Sequence, residues 1–191
     1  MVGNMPTRGV RALGKRQGKG FSLVELMVTV AVLGIVAAIA APSFANMIRH
    51  NQLVSSSNEM IAALQLARTE AVSRRVTATV CPSIDGEKCS DAVGSEWIVL
   101  APVAGKDTVL RTMSANPKLS VKGSANVGAG NVRIAFSPSG MVQVGAKNSG
   151  TLSLCAADLS GQNAVDISAA VVRITSARRE AGANCSAPGD I

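Results

Sequence analysis

The chain has 191 residues, which fits one domain or one domain with an anchor. Apolar residues make up 47% and charged residues 16%, which excludes a disordered chain. Three Phe, one Trp and no Tyr are too few for a base-stacking single-strand binder, and one His, His50, leaves little room for a His-based metal site or catalytic triad. Net charge is +7, from 19 bases and 12 acids, but residues 1–20 hold Arg8, Arg11, Lys15, Arg16 and Lys19 and no acid. With those five removed, 14 bases face 12 acids, a net of +2. The basicity belongs to a head, so it argues poorly for nucleic-acid binding by the body.

Residues 21–41, FSLVELMVTVAVLGIVAAIAA, contain one charge, Glu25. At about 1.5 Å per residue such a helix spans about 30 Å, one hydrocarbon core. The basic head in front keeps the N-terminus cytoplasmic, so in a bacterium the rest lies in the periplasm. A cleaved secretory signal would use Ala38-Ile39-Ala40, but Glu25 interrupts the run and Pro42 follows closely. A plain anchor explains the length and leaves Glu25 unexplained, since a lone carboxylate in lipid is costly.

Lys19-Gly20-Phe21-Ser22-Leu23-Val24-Glu25 resembles the class III signal of type IV pilins and pseudopilins. The resemblance implies cleavage by a prepilin peptidase after Gly20, N-methylation of Phe21, and Glu25 at the fifth mature position. Cleavage makes a cationic amine at Phe21, and a Glu in lipid needs such a partner. In a stack of subunits Glu25 of one meets the Phe21 amine of its neighbour, which admits subunits only in register. Pro42 matches the family's helix-bending proline. The basic leader survives whether the chain starts at Met1 or Met5.

Residues 43–75 keep helical periodicity. Leu53, Ser57, Met60, Leu64, Ala67 and Ala71 step by 4, 3, 4, 3, 4 onto one face. Val54, Ile61 and Val72 widen it, and Gln52, Ser55, Glu59, Thr69 and Ser73 lie opposite. Leu66 falls among the polar positions, as a scattered surface residue or a contact with the next subunit. Glu70 and Arg74 form an i,i+4 pair in the favourable order. The expected rod runs from 21 to 75, its first half in lipid and its second packed on a domain.

After Arg75 the period becomes two. Strands are predicted at 76–81, 97–100, 108–113, 119–122, 132–136, 141–144, 151–155 and 171–175. Ser137-Pro138-Ser139-Gly140 reads as a tight hairpin turn, and the Gly- and Ala-rich stretch 123–131 as a mobile loop. The expected architecture is α+β: a cleaved leader at 1–20, a transmembrane helix at 21–42, its amphipathic continuation at 43–75, and a periplasmic antiparallel β-sheet domain at 76–191. That last part is large enough for a small core.

The stretch from Asn58 to Cys81 resembles the GspH/FimT branch of pseudopilins, whose helix carries Ala-Arg-x-Glu-Ala, here Ala67-Arg68-Thr69-Glu70-Ala71. Phe136, Pro138 and Gly140 resemble that branch's F-x-P-x-G turn. The resemblance implies a structural subunit of a type II secretion pseudopilus or type IV pilus, near the tip. Its partners would be other pilins, the prepilin peptidase and inner-membrane lipid.

Cys81, Cys89, Cys155 and Cys185 allow three pairings, and an exported domain favours disulfides. Proximity favours Cys81–Cys89 and then Cys155–Cys185, a tail staple of the kind that related pseudopilins often carry. No C-x-x-C pair supports zinc. Asp85, Glu87 and Asp91 match no EF-hand spacing and read as a solvated acidic loop. Gly128-Ala129-Gly130 is too short to cradle phosphate, and no H-E-x-x-H, G-x-S-x-G or Walker motif occurs, so neither an enzyme nor a cofactor is expected. His50 reads as an interfacial polar residue.

In FimT-type minor pilins of competent bacteria a G-R-x-R segment binds DNA. The matching stretch here is Ala177-Arg178-Arg179-Glu180, in which Ala replaces Gly and Glu180 replaces the second Arg. Arg173, Arg178 and Arg179 are the DNA contacts that this resemblance implies. Two or three arginines alone predict weak, sequence-indifferent affinity.

Overall fold

The computed structural model describes residues 20–91, 96–114, 116–128 and 132–191. The basic head, residues 1–19, lies outside the described residues. Among the described residues, one helix, α1 (Leu23–Arg74), precedes nine strands. Its start is written in Ser22-Leu23-Val24-Glu25: the Ser22 hydroxyl accepts the Glu25 N–H at 3.1 Å, and the Ser22 carbonyl accepts the Leu26 N–H at 3.1 Å. Its end is a left-handed turn. Arg75 has φ 55°, and the Val76 N–H reaches back to the Ala71 carbonyl at 3.1 Å. Two compact units divide within this helix, Met1–Pro42 and Ser43–Ile191.

The strands are β1 (Ala78–Ser83), β2 (Glu96–Val103), β3 (Lys106–Ser114), β4 (Ser120–Gly123), β5 (Ile134–Phe136), β6 (Val142–Gln143), β7 (Ser149–Cys155), β8 (Ala164–Ala170) and β9 (Arg173–Arg179). They form two sheets, in the orders β3-β2-β1-β5-β6 and β4-β7-β8-β9, with antiparallel pairs throughout. Local hairpins supply most pairings. β1 pairing with β5, Ala78 opposite Phe136, is a long-range closure.

The helical stripe behaves as its spacing demands. Leu53, Ser57, Met60, Leu64, Ala67 and Ala71 are all buried. They meet Val80, Trp97, Val99, Ile134 and Phe136 of the first sheet and Leu152 and Ile167 of the second in one core. Ser57, the polar member, donates its hydroxyl to the Leu53 carbonyl at 2.8 Å and so enters the core satisfied. Opposite, Ser55, Glu59, Thr69 and Ser73 are exposed.

The structure corrects four expectations. Leu66 is not a scattered surface residue: it is half-buried and packs on the core. Val72 does not widen the buried stripe; it is 48% exposed. Residues 164–170 form β8, a strand that the sequence pattern did not announce, and 171–172 are its turn, so the last strand is Arg173–Arg179 rather than 171–175. Of the stretch 123–131, residues 129–131 lie outside the described residues. The part from Ser124 to Gly128 is a packed turn, in which Ser124 and Val127 are buried and the Ser124 hydroxyl accepts the Thr151 N–H at 3.1 Å.

The Val171–Val172 turn ties helix and sheets together. The Val171 carbonyl accepts the Val142 N–H and its N–H donates to Asn148, both at 2.8 Å, while Arg68 donates to the Val172 carbonyl. Those bonds hold Val171 at φ 50°, a conformation that a β-branched residue rarely adopts.

Candidate functional site

The N-terminal helix is the first candidate. Gly20 and Phe21 precede it, both exposed, and Glu25 lies in its first turn, where an acid suits the positive end of the helix dipole. The large apolar residues from Phe21 to Ile48 are 52–78% exposed. Among the described residues, α1 is the one helix long and apolar enough to cross a membrane. The capping box Ser22-x-x-Glu25 went unread in the sequence, although S-x-x-E before an apolar run is its signature. Half of the box forms: the Ser22 hydroxyl caps the helix by accepting the Glu25 N–H, a bond that leaves the Glu25 side chain out. His50, one turn before Leu53 becomes buried, is half-buried.

The C-terminal arginines separate into two kinds. Arg173 and Arg178 are exposed on β9. Arg179 is engaged: its Nε lies 2.6 Å from Asp166 Oδ2, and its terminal nitrogens donate to Asp166, Ser153 and both the hydroxyl and carbonyl of Ser186. With Arg179 28% and Asp166 15% exposed, this partly buried pair fastens the tail across the sheet, so Arg179 has few donors left for a phosphate.

Disulfides join Cys81 to Cys89 and Cys155 to Cys185. Beside the second lies Asn163, buried, a residue the sequence reading passed over. Its amide donates to the Ala156 and Gly182 carbonyls at 3.2 and 2.9 Å, and its oxygen accepts the Ala181 N–H at 2.8 Å. Only a buried Asn between two turns could have flagged it, and burial is invisible in one sequence. The Cys81–Cys89 loop is organised by Asp85. Backbone N–H groups of Glu87 and Lys88, then the Ser83 hydroxyl, hold its carboxyl below the usual carboxylate range. Asp91 pairs with Arg133 at 2.5 Å. Asp85 therefore serves the loop itself, and Asp91 ties the chain after it to Arg133, just before β5. Among the described residues, no three His, Cys, Asp or Glu side chains gather as a metal site requires.

A long helix with a bare apolar first half, packed through its second half on antiparallel sheets, defines a pilin-like fold. The family model described as type II transport protein GspH matches residues 56–171, and that of the prokaryotic N-terminal methylation motif matches residues 15–41. The chain belongs to the GspH family of pseudopilins and type IV minor pilins, structural proteins without enzymatic activity. It is 33% identical to the type IV major fimbrial protein FimA of Dichelobacter nodosus over 119 residues, 54% of this chain and 76% of that one. Among solved structures it is similar to the type IV minor pilin FimU of Pseudomonas aeruginosa, with a TM-score of 0.48 and 22% identity over 66% of this chain and 88% of that one. It is also similar to the minor pseudopilin EpsH from the type 2 secretion system of Vibrio cholerae, with a TM-score of 0.46 and 15% identity over 66% and 95%.

Proposed function

We propose that this chain is a minor subunit of a helical filament, a type II secretion pseudopilus or a type IV pilus, placed near the tip. One observation carries the reading: an apolar helical surface from Phe21 to Ile48, exposed along its length and headed by a single carboxylate. In a monomer that surface has lipid as its partner, and in a filament it has its own kind. The precursor sits in the inner membrane, its basic head cytoplasmic and its sheets periplasmic. The prepilin peptidase cuts after Gly20 and methylates Phe21. Glu25 then neutralises the Phe21 amine of the adjoining subunit, and Pro42, which removes one backbone hydrogen bond, lets the helix bend there.

The test is a Glu25→Ala chain expressed in place of the natural one, with sheared filaments and membrane fractions blotted for it. Incorporation is expected to fall about tenfold or more while membrane insertion is unchanged, because only the amine partner is lost. Normal incorporation would refute the role given to Glu25. Exported enzymes in the supernatant of a deletion strain separate the two filaments: a collapse with pili intact assigns the pseudopilus, and normal export assigns the pilus.

A further inference from the structure

We propose that the open edge of β9 and the helix beside it bind an extended, acidic polypeptide segment, which adds to the second sheet as a fifth strand. β9 is the last strand of its sheet, with β8 on one side only. A two-residue loop closes β8 on β9 at Ala170 and Arg173, which makes alternate pairs from 170–173 to 164–179 the hydrogen-bonded ones. Ile174, Ser176 and Arg178 therefore direct their N–H and C=O groups away from β8. A free row of that kind is a template for another strand.

Facing this edge is a second helical stripe. Val54, Asn58, Ile61, Gln65, Arg68 and Val72 step by 4, 3, 4, 3, 4, each one residue after a member of the buried stripe. They form the helix wall of two openings along β9, of about 270 Å³ beside Ser176 to Arg178 and about 780 Å³ beside Val172 to Ile174. The two openings lie one after the other along the strand. Val72 and Val172 are 48% and 50% exposed there, apolar surface left half open.

Charge names the occupant. Among the described residues, the lining of both openings includes Arg68, Arg173 and Arg178 and no Asp or Glu. Arg68 and Arg173 stand at one end and Arg178 at the other; five residue steps of strand separate Arg173 from Arg178, about 17 Å. A segment with carboxylates five positions apart and β-branched residues between them meets both charged ends, the apolar wall and the backbone row. Nucleic acid could use the arginines but has nothing to offer the strand edge or Val72.

The experiment uses the full chain in zwitterionic detergent micelles and fluorescence anisotropy of a labelled heptapeptide of Val and Thr with Glu at positions 1 and 6. A peptide with Lys at those positions, and the Glu peptide N-methylated at alternate amides, are each expected to bind about tenfold more weakly or worse. In the protein, Arg173→Gln with Arg178→Gln weakens the Glu peptide about as much, with an unchanged thermal melt. Ser176→Pro, which removes an outward N–H from an edge strand, does the same. Because the N-methylated peptide leaves the protein untouched, the answer does not hang on that variant folding. Equal binding of the Glu and Lys peptides, indifference to N-methylation, or no binding up to the solubility limit overturns the proposal. So does a DNA duplex that binds the same arginines more tightly than the peptide does. Glu25→Ala leaves peptide binding as it was, so this result stands or falls apart from filament assembly.

Discussion

At position 75 an arginine occupies left-handed backbone, φ 55°, that glycine would occupy without steric cost. The helix needs this turn, since the Val76 N–H must reach the Ala71 carbonyl. Arg75→Gly should stabilise the protein by about 0.5–1 kcal/mol, the left-handed penalty less the added freedom of the unfolded chain, read as a higher urea midpoint at constant slope. Gly140 presents the opposite case. It has φ 77°, and a Cβ built there lies 2.9 Å from Val72 Cγ2 and 3.4 Å from Arg68 Nε. The Ser137–Gly140 turn thus lies directly against α1, which is the physical content of the F-x-P-x-G resemblance. Gly140→Ala should cost about 1–3 kcal/mol in the same assay. A neutral result would mean that the turn can lift from the helix.

Among the elements, the disulfides cross-link unequal loops. Cys155–Cys185 closes 30 residues and holds the tail over Asn163; Cys81–Cys89 closes 8, a loop that Asp85 already organises. Chain entropy assigns about 3.5 kcal/mol to the longer and about 2.5 kcal/mol to the shorter. Replacing Cys155 and Cys185 by Ala should therefore lower stability more than replacing Cys81 and Cys89, and the loss of buried packing at Cys185, where Cys89 is only half-buried, widens the gap. Urea unfolding of the two double variants decides it; the reverse order would put the chief constraint in the acidic loop. These elements also show what one sequence can and cannot display. The helical stripe was legible because six positions repeat at one period and each obeys it. Strands such as Thr151–Cys155 were legible because β-branched and leucine residues alternate with serine. β8 was not, since three of the seven residues of Ala164–Ala170 are alanine, a residue with little strand preference, and it carries Asp166; it is a strand because β7 and β9 flank it and Arg179 meets that acid. The division into two sheets rests on Ala78 opposite Phe136 and on the Val171 turn, contacts between distant residues that no local pattern encodes. Of the candidate sites, the Gly20-to-Glu25 motif could be read because its residues adjoin. Arg179 could not be told from Arg178 without the tail folded over it.

For the molecule as a whole, burial divides α1 into a part the sheets need and a part they do not. Leu53 is the first fully buried residue of the helix, and one turn earlier Arg49 Nε lies 3.3 Å from Asp158 on the domain. Among the described residues, none before that belongs to the core. A chain beginning at Arg49 should therefore fold with both disulfides and stay monomeric without detergent. One beginning at Ser43 keeps Phe44, Met47 and Ile48, exposed by 67%, 61% and 52%. Each offers about 1.5–3 kcal/mol for burial, so pairing these faces between copies gives a driving force that the shorter chain lacks. Sedimentation velocity at matched concentrations reads the difference: a single monomer boundary for the Arg49 chain and a concentration-dependent shift for the Ser43 chain. Aggregation of the Arg49 chain would mean that the apolar half of the helix takes part in folding. A monomeric Ser43 chain would confine the self-associating surface to the residues before it, and so to the segment headed by Glu25.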